Sequence, residues 1–281
     1  MKQIELTPPA RDRWGRPIID KTAYTRASSL AVDDKSGLLR WAAGMAALGA
    51  ASNDTIRNSI LTLDPTSPTY KKDLYRLGEQ AKEHAGGSKA ASDGTSIHRA
   101  TEMADHGQDT SHLPQQLRDA VAAYQQLLVD NQLISLAAEV FVACPALQVA
   151  GTLDRLVMLP DGTVAVLDLK TGGVDSARYA GLSWATQIAA YAHSEPWCGD
   201  KGWLTWEAVG LLEPTAAVGL VAHVPQDDPD KACLWQVDLD AGWAAAKTAS
   251  QVHAQRRTKY LTPLGAQETT SKKKQKKETA A

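Results

Sequence analysis

Residues 151–172, Gly-Thr-Leu-Asp-Arg-Leu-Val-Met-Leu-Pro-Asp-Gly-Thr-Val-Ala-Val-Leu-Asp-Leu-Lys-Thr-Gly, constrain this chain more than any other stretch. Two strand-like runs flank Pro160-Asp161-Gly162, a sequence suited to a tight turn. Side chains alternate along a strand. Val164, Val166, Asp168 and Lys170 therefore share one face, and Ala165, Leu167 and Leu169 share the other. A face that starts apolar thus ends in two ionic groups. A three-residue loop with Gly162 in the left-handed conformation pairs Leu159 with Thr163 and sets Asp154 opposite Asp168. A two-residue loop would offset the two carboxylates by one position.

Two carboxylates held face to face repel each other unless a cation lies between them. Hard oxygen ligands suit Mg2+, with Mn2+ as a substitute, and such an ion activates water and takes up charge from a phosphate. Lys170, two residues beyond Asp168, is placed to orient the water or steady the transition-state charge. From spacing alone, a surface hairpin with solvated Asp and Lys side chains is the favoured explanation of the pattern.

Asp154 followed by Asp168-Leu169-Lys170 resembles the D…(D/E)xK core of the PD-(D/E)XK nuclease superfamily. Gly151-x-x-Asp154-Arg155 and Asp168-x-Lys170-Thr171-Gly172 most resemble its RecB-like branch. Two further motifs of that branch are matched by His98, in Gly94-Thr-Ser-Ile-His98, and by Gln187-Ile-Ala-Ala-Tyr191. Four motifs in the right order are fairly specific, and together they span Ser92 to His193. Ser28 to Leu48, with its Asp-Asp-Lys-Ser-Gly-Leu-Leu-Arg-Trp run, more loosely resembles the leader of exonucleases of actinobacterial phages.

The resemblance implies a restriction-endonuclease-like α/β fold, a mixed central sheet flanked by helices, with an N-terminal helical elaboration. It implies metal ligation by His98, Asp154, Asp168 and the Leu169 carbonyl. Lys170 would assist the water, and Gln187 and Tyr191 would support substrate or Lys170. The implied reaction is Mg2+-dependent hydrolysis of DNA, exonuclease action being favoured over a structure-specific endonuclease, in phage recombination or DNA processing. A non-catalytic DNA-end-binding protein and a hydrolase of small phosphoesters are the rival readings. DNA is the expected partner; a homo-oligomer and a recombination partner protein are left open.

Composition sets limits on these readings. With 43% hydrophobic and 22% charged residues the chain reads as an ordinary globular protein. No apolar run reaches membrane-spanning length, and Met1 to Pro9 lacks a signal-peptide core, so a cytoplasmic setting without membrane partners is expected (the host cytoplasm for a phage protein). Some RecB-like nucleases carry an iron–sulfur cluster on four cysteines. This chain has three, Cys144, Cys198 and Cys233, so no cluster is expected. Net charge is −2, but the segment from Arg256 holds eight of the 30 basic and two of the 32 acidic residues, which leaves 22 basic against 30 acidic elsewhere. Overall acidity does not exclude a DNA enzyme, because a local groove governs phosphate contact.

Three segments are expected: an N-terminal wrap and helical elaboration over 1–91, the nuclease-like core over 92–262, and a disordered lysine-rich tail over 263–281. Prolines and four arginines mark the first 27 residues as an irregular basic wrap, favoured over a channel lining. Leu38 to Leu48 reads as a buried helix with Trp41 in the core. Asp93 is expected to cap a helix from about Thr95 to Gly107, with His98 and Glu102 on one face. Leu113 to Asn131 and Arg178 to Ser194 read as further helices, the second placing Gln187 and Tyr191 together. Ile134 to Val142, Gly202 to Glu207, Ala216 to Val224 and Leu234 to Leu239 read as strands. Glu139 interrupts an apolar run and is expected to bond Arg155, to contribute to the metal shell, or to sit on the solvent face of an edge strand. Asp240 is expected to cap the last helix, with Trp235 and Trp243 in the core.

Overall fold

The computed structural model describes residues 6–33 and 35–261, so Asp34 and the lysine-rich segment lie outside the described residues. In chain order the elements are β1 (Ile18–Ile19), β2 (Thr22–Ala23) and β3 (Thr25–Arg26), then five helices. These are α1 (Ser36–Ser52), α2 (Asp54–Leu61), α3 (Tyr70–His84), α4 (Lys89–Asp105) and α5 (Gln115–Asp130). Strands β4 (Ile134–Cys144), β5 (Val149–Met158) and β6 (Val164–Lys170) follow, then α6 (Ala177–Ala192). The remainder is β7 (Glu195–Cys198), β8 (Gly202–Trp203), β9 (Val218–His223), β10 (Cys233–Asp238) and α7 (Leu239–Gln255).

The result is a mixed α/β fold with a central sheet ordered β10-β9-β6-β5-β4-β7-β8 and helices on both faces. Strands β4, β5 and β6 form an antiparallel meander, while β6 and β9 run parallel. The period of two in β6 divides the core as the sequence predicts. Val164 and Val166 pack with Ile188 and Ala189 of α6 and Ala246 of α7. Ala165, Leu167 and Leu169 pack on the opposite face with Ile97 of α4 and Ala120 and Tyr124 of α5. Both faces of the sheet are therefore dry, and the ionic end of β6 is held between two packed layers. No helix among the described residues is long and apolar enough to cross a membrane.

The predicted loop is present. Leu159 N donates to Thr163 O at 2.8 Å, and Gly162 is left-handed at φ 86°. The ladder Arg155–Leu167, Leu156–Val166, Val157–Ala165 and Met158–Val164 is the register that sets Asp154 across from Asp168. Beyond Arg155 the two strands separate. Strand β3 takes the vacated side of β5, pairing in parallel through Thr25–Val149 and Arg26–Ala150. The N-terminal wrap is thus woven into the sheet, and a gap opens along residues 151–154.

Several local expectations are corrected. Helix α4 starts at Lys89, ahead of Asp93, which lies inside it and pairs with Lys89 at 2.5 Å. The last helix is capped by Asp238, whose carboxylate accepts from Ala241 N at 2.9 Å, and Asp240 sits in the first turn. Of Gly202 to Glu207 only the first two residues are strand, and β7 precedes them where no strand is read from sequence. Helix α1 is not a buried core helix. It packs chiefly on α3, with Gly49 its buried residue, and leaves Leu38, Leu39, Trp41 and Leu48 exposed. Trp235 is likewise exposed because β10 is an edge strand. Trp243 is half-buried, stacked on His193 with ring centroids 4.0 Å apart.

Candidate active site

The gap beside β5 is the base of a cleft of about 370 Å³. His98, Asp154, Asp168, Lys170, Gln187 and Tyr191 all line it. His98 reaches in from α4 on one face of the sheet, and Gln187 and Tyr191 reach in from α6 on the other. Two glycines of the motifs make this approach feasible. A Cβ on Gly94 would lie 2.6 Å from Thr171 Oγ1, and one on Gly151 would lie 2.8 Å from the Tyr191 hydroxyl. Larger residues there would push α4 and α6 away from the strands.

Asp168 is 1% exposed. Its Oδ1 accepts from Gln187 Nε2 at 2.9 Å, and Gln187 Oε1 accepts from Lys170 Nζ at 3.0 Å. Gln187 is therefore a clamp that fixes carboxylate and ammonium relative to each other. Lys170 Nζ also lies 2.5 Å from Asp168 Oδ2, an ion pair angled so that this buried oxygen has no well-directed hydrogen bond. Asp154 Oδ2 accepts from Leu169 N at 2.8 Å, substituting for the ladder bond lost where the strands part. His98 Nδ1 lies 3.5 Å from the same oxygen. Tyr191 donates its hydroxyl to Thr152 O at 2.9 Å, which secures the free edge of β5.

Burial, with the adjacent Asp168 charge, holds the Asp154 carboxyl well above the usual carboxylate range. Burial works against the Lys170 ammonium, but Asp168 and Asp154 outweigh it and raise its pKa. Burial pushes His98 down to about 4, against the pull of Asp168, so the imidazole is neutral near pH 7. A neutral imidazole is the form that ligates metal. These shifts give a signed expectation for the metal-free protein. A carboxyl raised above 3.8 loses stability as pH climbs through its folded pKa, because the folded state must then give up a proton it holds more tightly. Asn in place of Asp154 keeps an acceptor for Leu169 N and removes that cost. Metal-free Asp154→Asn should melt above wild type near neutral pH, in a scanning fluorimetry series. The gap should close as pH falls towards 4, and an equal Tm at every pH would rule out the repulsion. His98 acts in the opposite sense: stability falls as pH drops from about 6.5 towards 4, because the unfolded imidazole protonates first.

Behind the cleft lies a buried network that sequence reading missed. The Arg155 guanidinium, 1% exposed, pairs through Nε with Asp105 Oδ2. It also donates from Nη1 to the Asp154 carbonyl at 2.8 Å and from Nη2 to Thr101 Oγ1 at 3.4 Å. Tyr124 donates its hydroxyl to Asp105 at 3.0 Å. Thr101 and Asp105 stand three and seven residues after His98 on α4, so helical periodicity was the available signal. Glu139, left-handed at φ 52° and 43% exposed, reaches Arg155 only at 3.9 Å, the partner named from sequence. Leu169 contributes through its backbone, with its N–H on Asp154, while its side chain is core. Arg178 pairs on the surface with Asp175. The cleft also receives Arg11, Arg26 and Ser28 from the N-terminal wrap, which therefore lines it in part as well as wrapping the domain.

Among the described residues, no three His, Cys, Asp or Glu side chains are grouped so as to hold a metal ion as they stand. The donors nevertheless suit a hard divalent cation in kind. Asp168 Oδ2 is a buried oxygen lacking a directed hydrogen bond, the facing Asp154 is destabilised by it, and the His98 imidazole is neutral. No protein-family model and no curated protein matches the chain.

Proposed function

We propose that this chain is a divalent-metal-dependent deoxyribonuclease with a restriction-endonuclease-like core, acting as an exonuclease on DNA ends. One observation carries the reading. The β5–β6 register sets Asp154 across from Asp168 at a break in the sheet, with Lys170 clamped to Asp168 by Gln187. Opposed buried carboxylates with a fixed ammonium are costly to fold around, and a cation with an anionic substrate is what relieves such a cost.

Asp154, Asp168, neutral His98 and the Leu169 carbonyl are the groups that would hold Mg2+ or Mn2+. Such an ion supplies a water of lowered pKa and takes up charge on the scissile phosphate. Lys170, held by Gln187 Oε1 at 3.0 Å, keeps its positive charge through neutral pH and would steady the charge developing on a phosphate bound in the cleft. Gln187 fixes the angle between Lys170 and Asp168, and Tyr191 keeps β5 aligned through Thr152. The two packed layers exclude bulk water from the floor of the cleft.

The cleft is open to solvent, and its volume of about 370 Å³ accommodates one nucleotide unit of a DNA end. The same volume also favours the reading as a small-phosphoester hydrolase. A substrate panel separates them: end-labelled linear duplex and single strand, a closed circle, and p-nitrophenyl phosphate diesters, each with Mg2+ and with EDTA. Metal-dependent loss of linear DNA alone is the expected result. Cutting of the circle moves the assignment to an endonuclease, and turnover of the small diester alone rejects the DNA substrate.

A further inference from the structure

The seven residues from Arg11 to Pro17, Arg-Asp-Arg-Trp-Gly-Arg-Pro, form a compact turn that the catalytic reading does not use. It is tightly built. Arg11 and Pro17 close it as a bridged pair, Gly15 N donates to Asp12 O at 2.9 Å, and Gly15 is left-handed at φ 74°. Asp12 Oδ1 accepts from Trp14 N and Arg16 N, and Asp12 Oδ2 accepts from Arg16 Nε at 2.8 Å. The only carboxylate of the turn is thus consumed internally.

What this frame displays is an indole. Trp14 is 60% exposed, an unusual position for a residue that normally contributes to the core. The Arg13 guanidinium lies 4.0 Å and that of Arg16 5.1 Å from the ring centroid. Arg13 is exposed and has no carboxylate partner among the described residues, so it can leave the indole for a phosphate. The base of the turn is at the cleft: Arg11 and Pro17 line it, beside Arg26 and within the same hollow as Asp154 and Asp168. An exposed aromatic ring with surrounding guanidinium groups, on a chain acidic outside its C-terminal segment, matches stacked bases on a phosphate backbone.

We propose that the Arg11–Pro17 turn is a nucleobase-stacking element, in which Trp14 caps the terminal base of a DNA strand entering the cleft while Arg13 engages its phosphates. The proposal rests on the nuclease reading and names the part of the substrate that the turn recognises. An aromatic ring on a turn whose base lines the cleft would select ends over internal positions, because only an end base has a free face.

The test uses the full chain in EDTA with oligonucleotides carrying 2-aminopurine at the end or internally, alongside Mg2+-dependent cleavage of the same strands. Wild type should quench the terminal probe and spare the internal one. Trp14→Ala should lose the quench and bind about tenfold more weakly, the scale of one lost stacking contact, with Trp14→Phe intermediate. Because Trp14 is exposed, its variants should melt with wild type. Trp14→Ala that binds and quenches like wild type overturns the proposal. Cleavage without a Trp14-dependent quench rejects the turn alone, whereas a Trp14-dependent quench without cleavage supports the turn and rejects the nuclease reading.

Discussion

Asp168→Asn is expected to leave a folded protein that cleaves DNA about a thousandfold more slowly or worse. Several kcal/mol of transition-state charge stabilisation depend on the ligand charge, and each 1.4 kcal/mol is about a factor of ten. The folded state should survive for an electrostatic reason. Asn retains an acceptor for Gln187 Nε2, and the remaining Asp154 carboxylate still balances the Lys170 ammonium. One charge of each sign is an easier set to bury than two carboxylates with one ammonium. Single-turnover rates on linear duplex, read beside a thermal melt, separate the chemical loss from misfolding. A folded Asp168→Asn protein cleaving at the wild-type rate would remove Asp168 from the mechanism.

The second large effect concerns stability. Asp105→Ala removes the buried carboxylate of the Arg155 guanidinium, which is 1% exposed, and leaves it only the exposed Glu139 at 3.9 Å. Breaking a buried pair on one side costs about 3–5 kcal/mol, which for a chain of this size lowers Tm by roughly 10 °C. Removing both partners should cost much less. Asp105→Leu with Arg155→Met leaves no stranded charge, so the double variant should lie closer to wild type than Asp105→Ala does. Denaturant melts of the three proteins test this. Asp105→Ala within about 1 kcal/mol of wild type would mean the pair is solvated in solution, and would rule out its role as the anchor behind Asp154.

The hairpin was legible from sequence because two local rules fix it. Alternation assigns Asp168 and Lys170 to a face, and the Pro160-Asp161-Gly162 loop sets the register from a single hydrogen-bonded closure. Gln187 was legible as a residue but not as a clamp, since both its partners lie on another element. Asp105 escaped because its partner is 50 residues away, and its helical spacing from His98 marks a shared face without pointing to Arg155. The insertion of β3 beside β5 escaped for a related reason. Two residues of strand carry no period, and their pairing depends on the space that β6 leaves. Trp41 and Trp235 were misplaced by treating large apolar residues as core. A helix seated on a narrow seam and an edge strand both leave such residues in water.

Hydrolysis in this cleft requires that Asp154 and Asp168 together take up a divalent cation. Titration of Mn2+ followed by electron paramagnetic resonance measures this directly, since bound and free ion give different spectra. Wild type should remove Mn2+ from the free pool, Mg2+ should compete, and Asp154→Asn and Asp168→Asn should each abolish the bound fraction. Folded wild-type protein that leaves the whole Mn2+ signal free, or variants that bind as wild type does, would contradict the account at its centre.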